Sequence, residues 1–413
     1  MMEFSMPPIA PLAVFLFAYT AIALGRLPGL ALDRTGFAIL GATAFLLLGE
    51  ISLDQAREAL DIPTLIVLFA MMLLSAQYHL SGLYGRICSW LTQRKSPRVL
   101  LLGTLLVSAA LSAVLTNDVI AFSLTPLVGR AVLHRGLAPG PFLLAIALGT
   151  NFGSALTPIG NPQNILISQK LGLQLLPFLG YTLPPVLASL AVSYFVLQRG
   201  LKGSEGQKEA KRTPSRGSED PSFDSWQATK ALILTALTLV LFLSPIEAPL
   251  AALFIAGVIL TSRRMHTRTV LALVDWHLLA LFVGLFILTE GLDHSGWTSQ
   301  FLIALEHVYG DLSHPVTLVP LISLLGVTIG NVPAVMLLLH LLPERAETGY
   351  IMALASTFVG NAVLIGSVAN LIVAEQAGQL GIRFGFREHL RIGLPVTLAS
   401  FLILGLYLWV RSF

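Results

Sequence analysis

Between Pro8 and Val410 apolar stretches follow one another, each near the ~20 residues that cross a ~30 Å hydrocarbon core, about ten or more in all. A chain built this way has one available solvent, the bilayer. Its charged residues make up 11% of the sequence, where a soluble domain carries about 25%. The expectation is an all-α polytopic membrane protein, because a helix satisfies its own backbone hydrogen bonds in lipid. The first apolar run, Pro8 to Leu24, follows a segment with neither a basic n-region nor a small-residue cleavage site, and reads as a retained helix. A lone Cys88 offers no internal disulfide and no cysteine metal cluster. The net charge of +3 is accounted for by the Lys and Arg that membrane proteins gather in cytoplasmic loops, and nucleic acid is not an expected partner.

One interval breaks the pattern. Residues 199–226 are polar, charged and rich in Ser and Gly, and read as a linker loop between two halves, 1–198 and 227–413. The halves repeat. Asp61 and Asp275, Ser81 and Ser295, Gly82 and Gly296, and Asn117 and Asn331 are each 214 residues apart. Phe152 and Phe358, Ile159 and Ile365, Gly160 and Gly366, Asn164 and Asn370, and Gly172 and Gly378 are each 206 apart.

Helix breakers sit at matching places in the two halves. "TND" at Thr116–Asp118 splits the apolar run from Ser96 to Arg130, leaving a second arm of about eleven residues, short of the ~20 that span. "GNVP" at Gly330–Pro333 splits Pro315–Leu342 in the same way. Both are expected to be re-entrant hairpins. Basic segments flank the first one, Gln93–Arg98 and Gly129–Arg135; these share the cytoplasmic side only if the hairpin turns back. Arg26, Arg34, the central loop, Ser262–Arg268 and Arg383–Arg391 then lie inside, and Glu50, Asp54, Arg57, Glu58, Glu344 and Glu347 outside. Each half crosses five times, so the repeats have opposite orientation.

Downstream of each hairpin lies a second interruption, "GTNFGSALTPIGNPQN" (Gly149–Asn164) and its twin "TFVGNAVLIGSVANLIV" (Thr357–Val373). Non-helical backbone at membrane depth survives only where protein buries it or where it lines an aqueous cavity. Paired interruptions in corresponding segments point to a transporter's binding site. Freed carbonyls with Asn and Thr oxygens suit a small hard cation, and a half-helix N-terminus suits an anion.

These segments resemble the ion transporter superfamily of citrate transporters, arsenite permeases, divalent anion/sodium symporters and some sodium/proton antiporters. "LTNDVIAFSLTPLV" is similar to that family's first hairpin tip and "TPIGNPQNILI" to the unwound segment after it; "IGNVPAVMLLL" and "VLIGSVANLIV" resemble the second pair. The tips read Thr-Asn-Asp and Gly-Asn-Val where the dicarboxylate symporters have Ser-Asn-Thr, which places the chain nearer the arsenite-permease-like bacterial branch. The resemblance implies two cation pockets, one at Thr116, Asn117, Gly160 and Asn161, the other at Gly330, Asn331, Gly366 and Ser367. It implies a small anion between the tips, met by Asn117, Asn161, Asn331 and Ser367. It further implies scaffold helices over 8–84 and 228–297, transport parts over 96–197 and 312–410, a homodimer, an elevator-like movement, and residence in a bacterial inner membrane with Na⁺ or H⁺ as coupling ion.

Asp118 is the one acid at a hairpin tip, read either as cation ligand or proton carrier, or as the cap of the hairpin's second arm. Asn151, Thr157, Asn164, Asn361 and Asn370 form a second rank, for which interhelical hydrogen bonding is the competing role. Gly149 and Gly153 show a generic helix-packing spacing. No Arg or Lys is expected at the site, which leans toward a weakly charged or neutral oxyanion. The chain lacks the H-E-x-x-H and G-x-S-x-G patterns of an intramembrane enzyme. The expectation is therefore a non-enzymatic secondary transporter of a citrate-like, dicarboxylate-like or arsenite-like anion. A sodium/proton antiporter without an anion substrate is the alternative.

Overall fold

The computed structural model describes residues 7–25, 30–94, 96–201, 222–262 and 265–411. Arg26, Lys95, Arg263, Arg264 and residues 202–221, on which part of the expected topology rests, lie outside the described residues. The first half supplies α1 (Ile9–Leu24), α2 (Arg34–Leu47), α3 (Leu53–Ala59), α4 (Ile62–Leu80), α5 (Leu83–Thr92), α6 (Pro97–Val114), α7 (Asn117–His134), α8 (Gly140–Ser154), α9 (Pro162–Leu171) and α10 (Leu175–Leu201). The second supplies α11 (Ser225–Phe242), α12 (Ala248–Leu260), α13 (Thr267–Leu271), α14 (Trp276–His294), α15 (Trp297–Tyr309), α16 (Pro315–Ile329), α17 (Asn331–Leu341), α18 (Ala346–Val359), α19 (Val368–Gln379) and α20 (Phe386–Arg411), with one 3-10 turn at Leu364–Gly366. No strand occurs among the described residues. By length and composition α4, α6, α10, α11, α14 and α20 can each cross a bilayer, and α1, α2, α12, α16 and α17 are shorter apolar helices.

Local chemistry sets the boundaries, and sets them alike in the two halves. Asp61 caps α4 by accepting from Thr64 N at 3.0 Å, and Asp275 caps α14 by accepting from Leu278 N at 2.9 Å. Each of these helices runs into a Ser and then a glycine at positive φ, 68° at Gly82 and 85° at Gly296. A side chain there would be strained, so the chain turns sharply at both places.

The first expected hairpin turns back. Arg135 Nη1, just past α7, donates to Arg94 O at 2.8 Å and to Thr92 O at 3.4 Å, beside the start of α6. Its second arm is longer than expected, 18 residues. The apolar stretch ends near Val128, but the backbone stays helical through Arg130 and His134, because a helix needs apolar side chains only where lipid or protein covers it. The second hairpin's outgoing arm, α17, is 11 residues long.

Two packing groups emerge. In one, α2 lies on α14, α4 on α12 and α1 on α2; in the other, α6 lies on α8, α16 on α18 and α10 on α20. Within the second group the halves interlock, α7 against α19 and α17 against α9. Phe152 and Phe358 meet edge to face at 5.2 Å, so residues 206 apart in sequence touch at the centre of the molecule.

Candidate functional site

Four helix starts meet at one cleft. It is lined by Asn117 and Asp118 at the start of α7, Pro162 and Gln163 at the start of α9, Gly330 to Pro333 at the start of α17, and Gly366 to Val368 at the start of α19. Its far wall comes from the other packing group, Ile22, Arg34, Leu278 and Leu281. Helix α9 is capped by Asn161, whereas α7, α17 and α19 have no side-chain cap. Their first N–H groups have no intrahelical acceptor. Asn117 N instead donates to Gly160 O at 3.0 Å, tying the first hairpin tip to the unwound segment.

That segment approaches its neighbours too closely for a side chain. A β-carbon on Gly160 would sit 2.4 Å from Ser154 O and 2.9 Å from Ser112 O. Around it the backbone carbonyls are held by amides. Asn164 Nδ2 donates to Ser154 O and Thr157 O, both at 3.0 Å. Asn370 Nδ2 makes the matching pair to Gly360 O at 2.8 Å and Val363 O at 3.3 Å. Thr157 Oγ1 donates to Ala113 O on the first hairpin's incoming arm.

The residues singled out from the sequence divide in three. Asn117, Asp118, Gly330, Asn331, Gly366 and Ser367 line the cleft. Thr116, Gly160 and Asn164 lie buried behind its first-half side, and Thr116 Oγ1, Asn117 Oδ1 and Asn164 Oδ1 are buried acceptors without a hydrogen-bond partner. Asn161 is fully buried: its Oδ1 accepts from Asn164 N at 2.8 Å, and its Nδ2 donates to Ser154 Oγ at 2.8 Å and Thr357 Oγ1 at 3.2 Å. With its amide committed to the cap and these two hydroxyls, it contributes nothing to the cleft wall.

Asn151 is the hub. Its Oδ1 accepts from Ser367 Oγ at 2.9 Å and Asn117 Nδ2 at 3.4 Å, and its Nδ2 donates to Asn361 Oδ1 at 2.9 Å and Asn370 Oδ1 at 3.0 Å. One side chain thus joins both hairpin-and-loop units. Asn361 O in turn accepts from His389 Nε2 at 2.9 Å; a carbonyl oxygen can only accept, which makes Nε2 the protonated nitrogen.

Two polar cleft residues escaped the sequence analysis. Gln163 stands between Asn161 and Asn164, so its motif was in view. Arg34 corrects the expectation that no basic residue reaches the site. It was read as a topological charge, and only the packing of α2 on α14 carries it to the cleft.

Residues 16–358 match the citrate transporter family, CitMHS. The chain belongs to that family. Inner membrane protein YbiR of Escherichia coli (strain K12) is 32% identical, over 84% of this chain and 87% of that one. Silicon efflux transporter LSI3 of Oryza sativa subsp. japonica is 28% identical, over 90% and 91%. In fold, this citrate transporter family member is similar to the Alcanivorax borkumensis YdaH transporter, described as having an unusual topology, at a TM-score of 0.58 and 16% identity over 98% of each chain. Family membership and the apolar helices make the protein a multi-pass membrane protein and a secondary transporter.

Proposed function

We propose that this transporter moves a small oxyanion or carboxylate by alternating access, coupled to a cation or proton, with the anion seated between Asn117, Asn331, Ser367 and Arg34. The observation that carries this is the convergence of four helix starts, three of them without side-chain caps, on a cleft that also holds an arginine. Aligned N–H groups and the positive end of the helix dipole favour an anion there. Arg34 adds a permanent charge with paired donors. That charge favours a substrate ionised at neutral pH over the neutral hydroxides of arsenic or silicon. The rice relative's silicon efflux therefore marks a neighbouring specificity in the family.

The matched bonds of the two halves support inverted repeats, and the cleft is then open on the side of the Arg34 loop, the cytoplasmic face of a bacterial inner membrane. An elevator-like transport group, a fixed scaffold and a homodimer belong to the same proposal. The test is uptake of citrate, succinate, phosphate and arsenite into proteoliposomes under imposed Na⁺ or pH gradients. Losing a charged hydrogen bond of about 1.5–3 kcal/mol weakens apparent affinity roughly 10- to 100-fold in Arg34→Gln. An Arg34→Gln protein with unchanged KM for the transported anion would overturn the assignment.

Asp118 sustains the second reading. A carboxylate lining the same cleft suits cation/proton exchange with no anion.

A further inference from the structure

The far wall of the cleft carries a charge that its counterpart in the other half lacks. That wall is Ile22, Arg34, Leu278 and Leu281. The 214-residue spacing pairs Leu278 with Thr64, Leu281 with Val67 and Arg34 with Ala248. The elements correspond as well: α2 lies on α14 as α12 lies on α4, and an acid precedes each short helix, Asp33 before α2 and Glu247 before α12. Their environments differ. Leu278 and Leu281 are half-buried beside the cleft, whereas Thr64 and Val67, on a helix that packs against α9, are fully buried. The wall of α2 and α14 is open and the wall of α4 and α12 is shut.

Arg34 is half-buried in the open wall. Among the described residues no carboxylate pairs with its guanidinium; the neighbouring Asp33 Oδ2 lies instead 3.8 Å from His277 Nδ1. Local helix stability does not account for a cation here, because a positive charge at a helix N-terminus opposes the helix dipole. Topology asks only for Lys or Arg in a cytoplasmic loop, which does not require one set in the wall of a cleft among four helix starts.

Alternating access between repeats of opposite orientation exchanges the conformations of the two halves. The wall of α2 and α14 then closes, and the wall of α4 and α12 opens on the opposite face. We propose that Arg34 is a one-sided anchor: the anion meets an arginine only while the cleft opens to the inner face, and faces Thr64, Val67 and Ala248 when it opens outward. This rests on the reading of the cleft as an anion site open to the cytoplasm. A permanent charge with paired donors makes the inward-open site the tighter one, and the outward-open site keeps the hairpin tips and uncapped helix starts alone. A ligand shifts an equilibrium by its differential affinity for two states, so the bound anion draws the protein toward the inward-open state. Such a site captures a dilute anion from the cytoplasm and gives it up readily outside, which suits export.

The experiment measures uptake of labelled citrate, succinate and phosphate by membrane vesicles carrying the full-length protein, with Na⁺, pH and potential equalised across the membrane. Inside-out vesicles present the inner face to the medium and right-side-out vesicles the outer face; the anion with the largest specific uptake carries the comparison. Wild type should show a KM at the inner face about 10- to 100-fold below that at the outer face, the effect of one charged hydrogen bond. Arg34→Gln should remove the difference by raising the inner-face KM alone, and Ala248→Arg in the otherwise native chain should lower the outer-face KM. Equal KM values on the two faces of wild type, or an Arg34→Gln protein weakened equally on both, overturns the one-sided anchor and leaves the anion site standing. An Arg34→Gln protein unchanged on both faces, or uptake of none of the three anions, overturns the anion site and the anchor with it. If Arg34→Gln does not assemble in the membrane, Ala248→Arg decides, an unchanged outer-face KM overturning the proposal.

Discussion

Gly153→Ala is a one-carbon change whose consequence can be worked out from the packing. A β-carbon on Gly153 would lie 2.1 Å from Ala109 O, 2.4 Å from Ala109 Cα and 2.6 Å from Ala109 C. These are backbone atoms of α6, so no side chain can rotate away. Ordinary carbon contacts need about 3.5 Å or more, which requires α6 and α8 to separate by over an ångström. Two bonds that cross this contact would lengthen with it, Ser112 Oγ to Thr150 O at 2.7 Å and Thr157 Oγ1 to Ala113 O. Overpacking costs about 1–3 kcal/mol, and each weakened bond adds about 1 kcal/mol, so the expected loss is about 3–5 kcal/mol. Gly180→Ala is the control. It sits inside α10 with nothing within 4 Å of the added carbon, and should stabilise by about 0.5–1 kcal/mol through helix propensity. Thermal unfolding in detergent, read by intrinsic fluorescence and checked by size exclusion, compares the two. Should Gly153→Ala melt with or above wild type while Gly180→Ala behaves as described, the close α6–α8 contact is wrong, and so is the position it gives Asn151 and the unwound segment.

Asp118→Asn separates the two functional readings in proteoliposomes: an anion carrier in which Asp118 serves the hairpin keeps measurable uptake, whereas a cation/proton antiporter loses exchange outright. Val332→Cys, made with Cys88→Ala so that the one native thiol is gone, should react with a membrane-impermeant maleimide from the side carrying the Arg34 loop; labelling only from the opposite side would contradict the direction in which the cleft opens. His389→Leu removes the donor to Asn361 O in a fully buried place, with an expected loss of about 1–3 kcal/mol, and a variant as stable as wild type would show that this bond does not anchor the Asn151 hub.

The membrane setting, the helical class and the duplicated motifs were all legible in the sequence, because each is written locally. Hydropathy reports solvent over about twenty residues, and Gly, Pro and Asn interrupt a helix wherever they occur together. Hence Thr116–Asp118 and Gly330–Pro333 marked both hairpin tips, and Asn117, Asn331 and Ser367 were found on the cleft. The length of α7 was not legible, since an apolar pattern stops at the edge of the hydrocarbon while a helix does not. Nor was the division of labour among the asparagines. Asn161, Asn164, Asn151 and Asn370 are the same chemical type in similar motifs, yet Asn164 bonds only locally while Asn151, Asn161 and Asn370 also reach partners some 200 residues away. A hydrogen bond is decided within about 3 Å of space, which no sequence spacing specifies. Tertiary structure alone set Asn161 Nδ2 against Thr357, made Asn151 the joint between the halves and left Asn164 Oδ1 without a donor. It also brought Arg34, one basic residue among the chain's Lys and Arg, from a loop-side helix to the wall of the cleft.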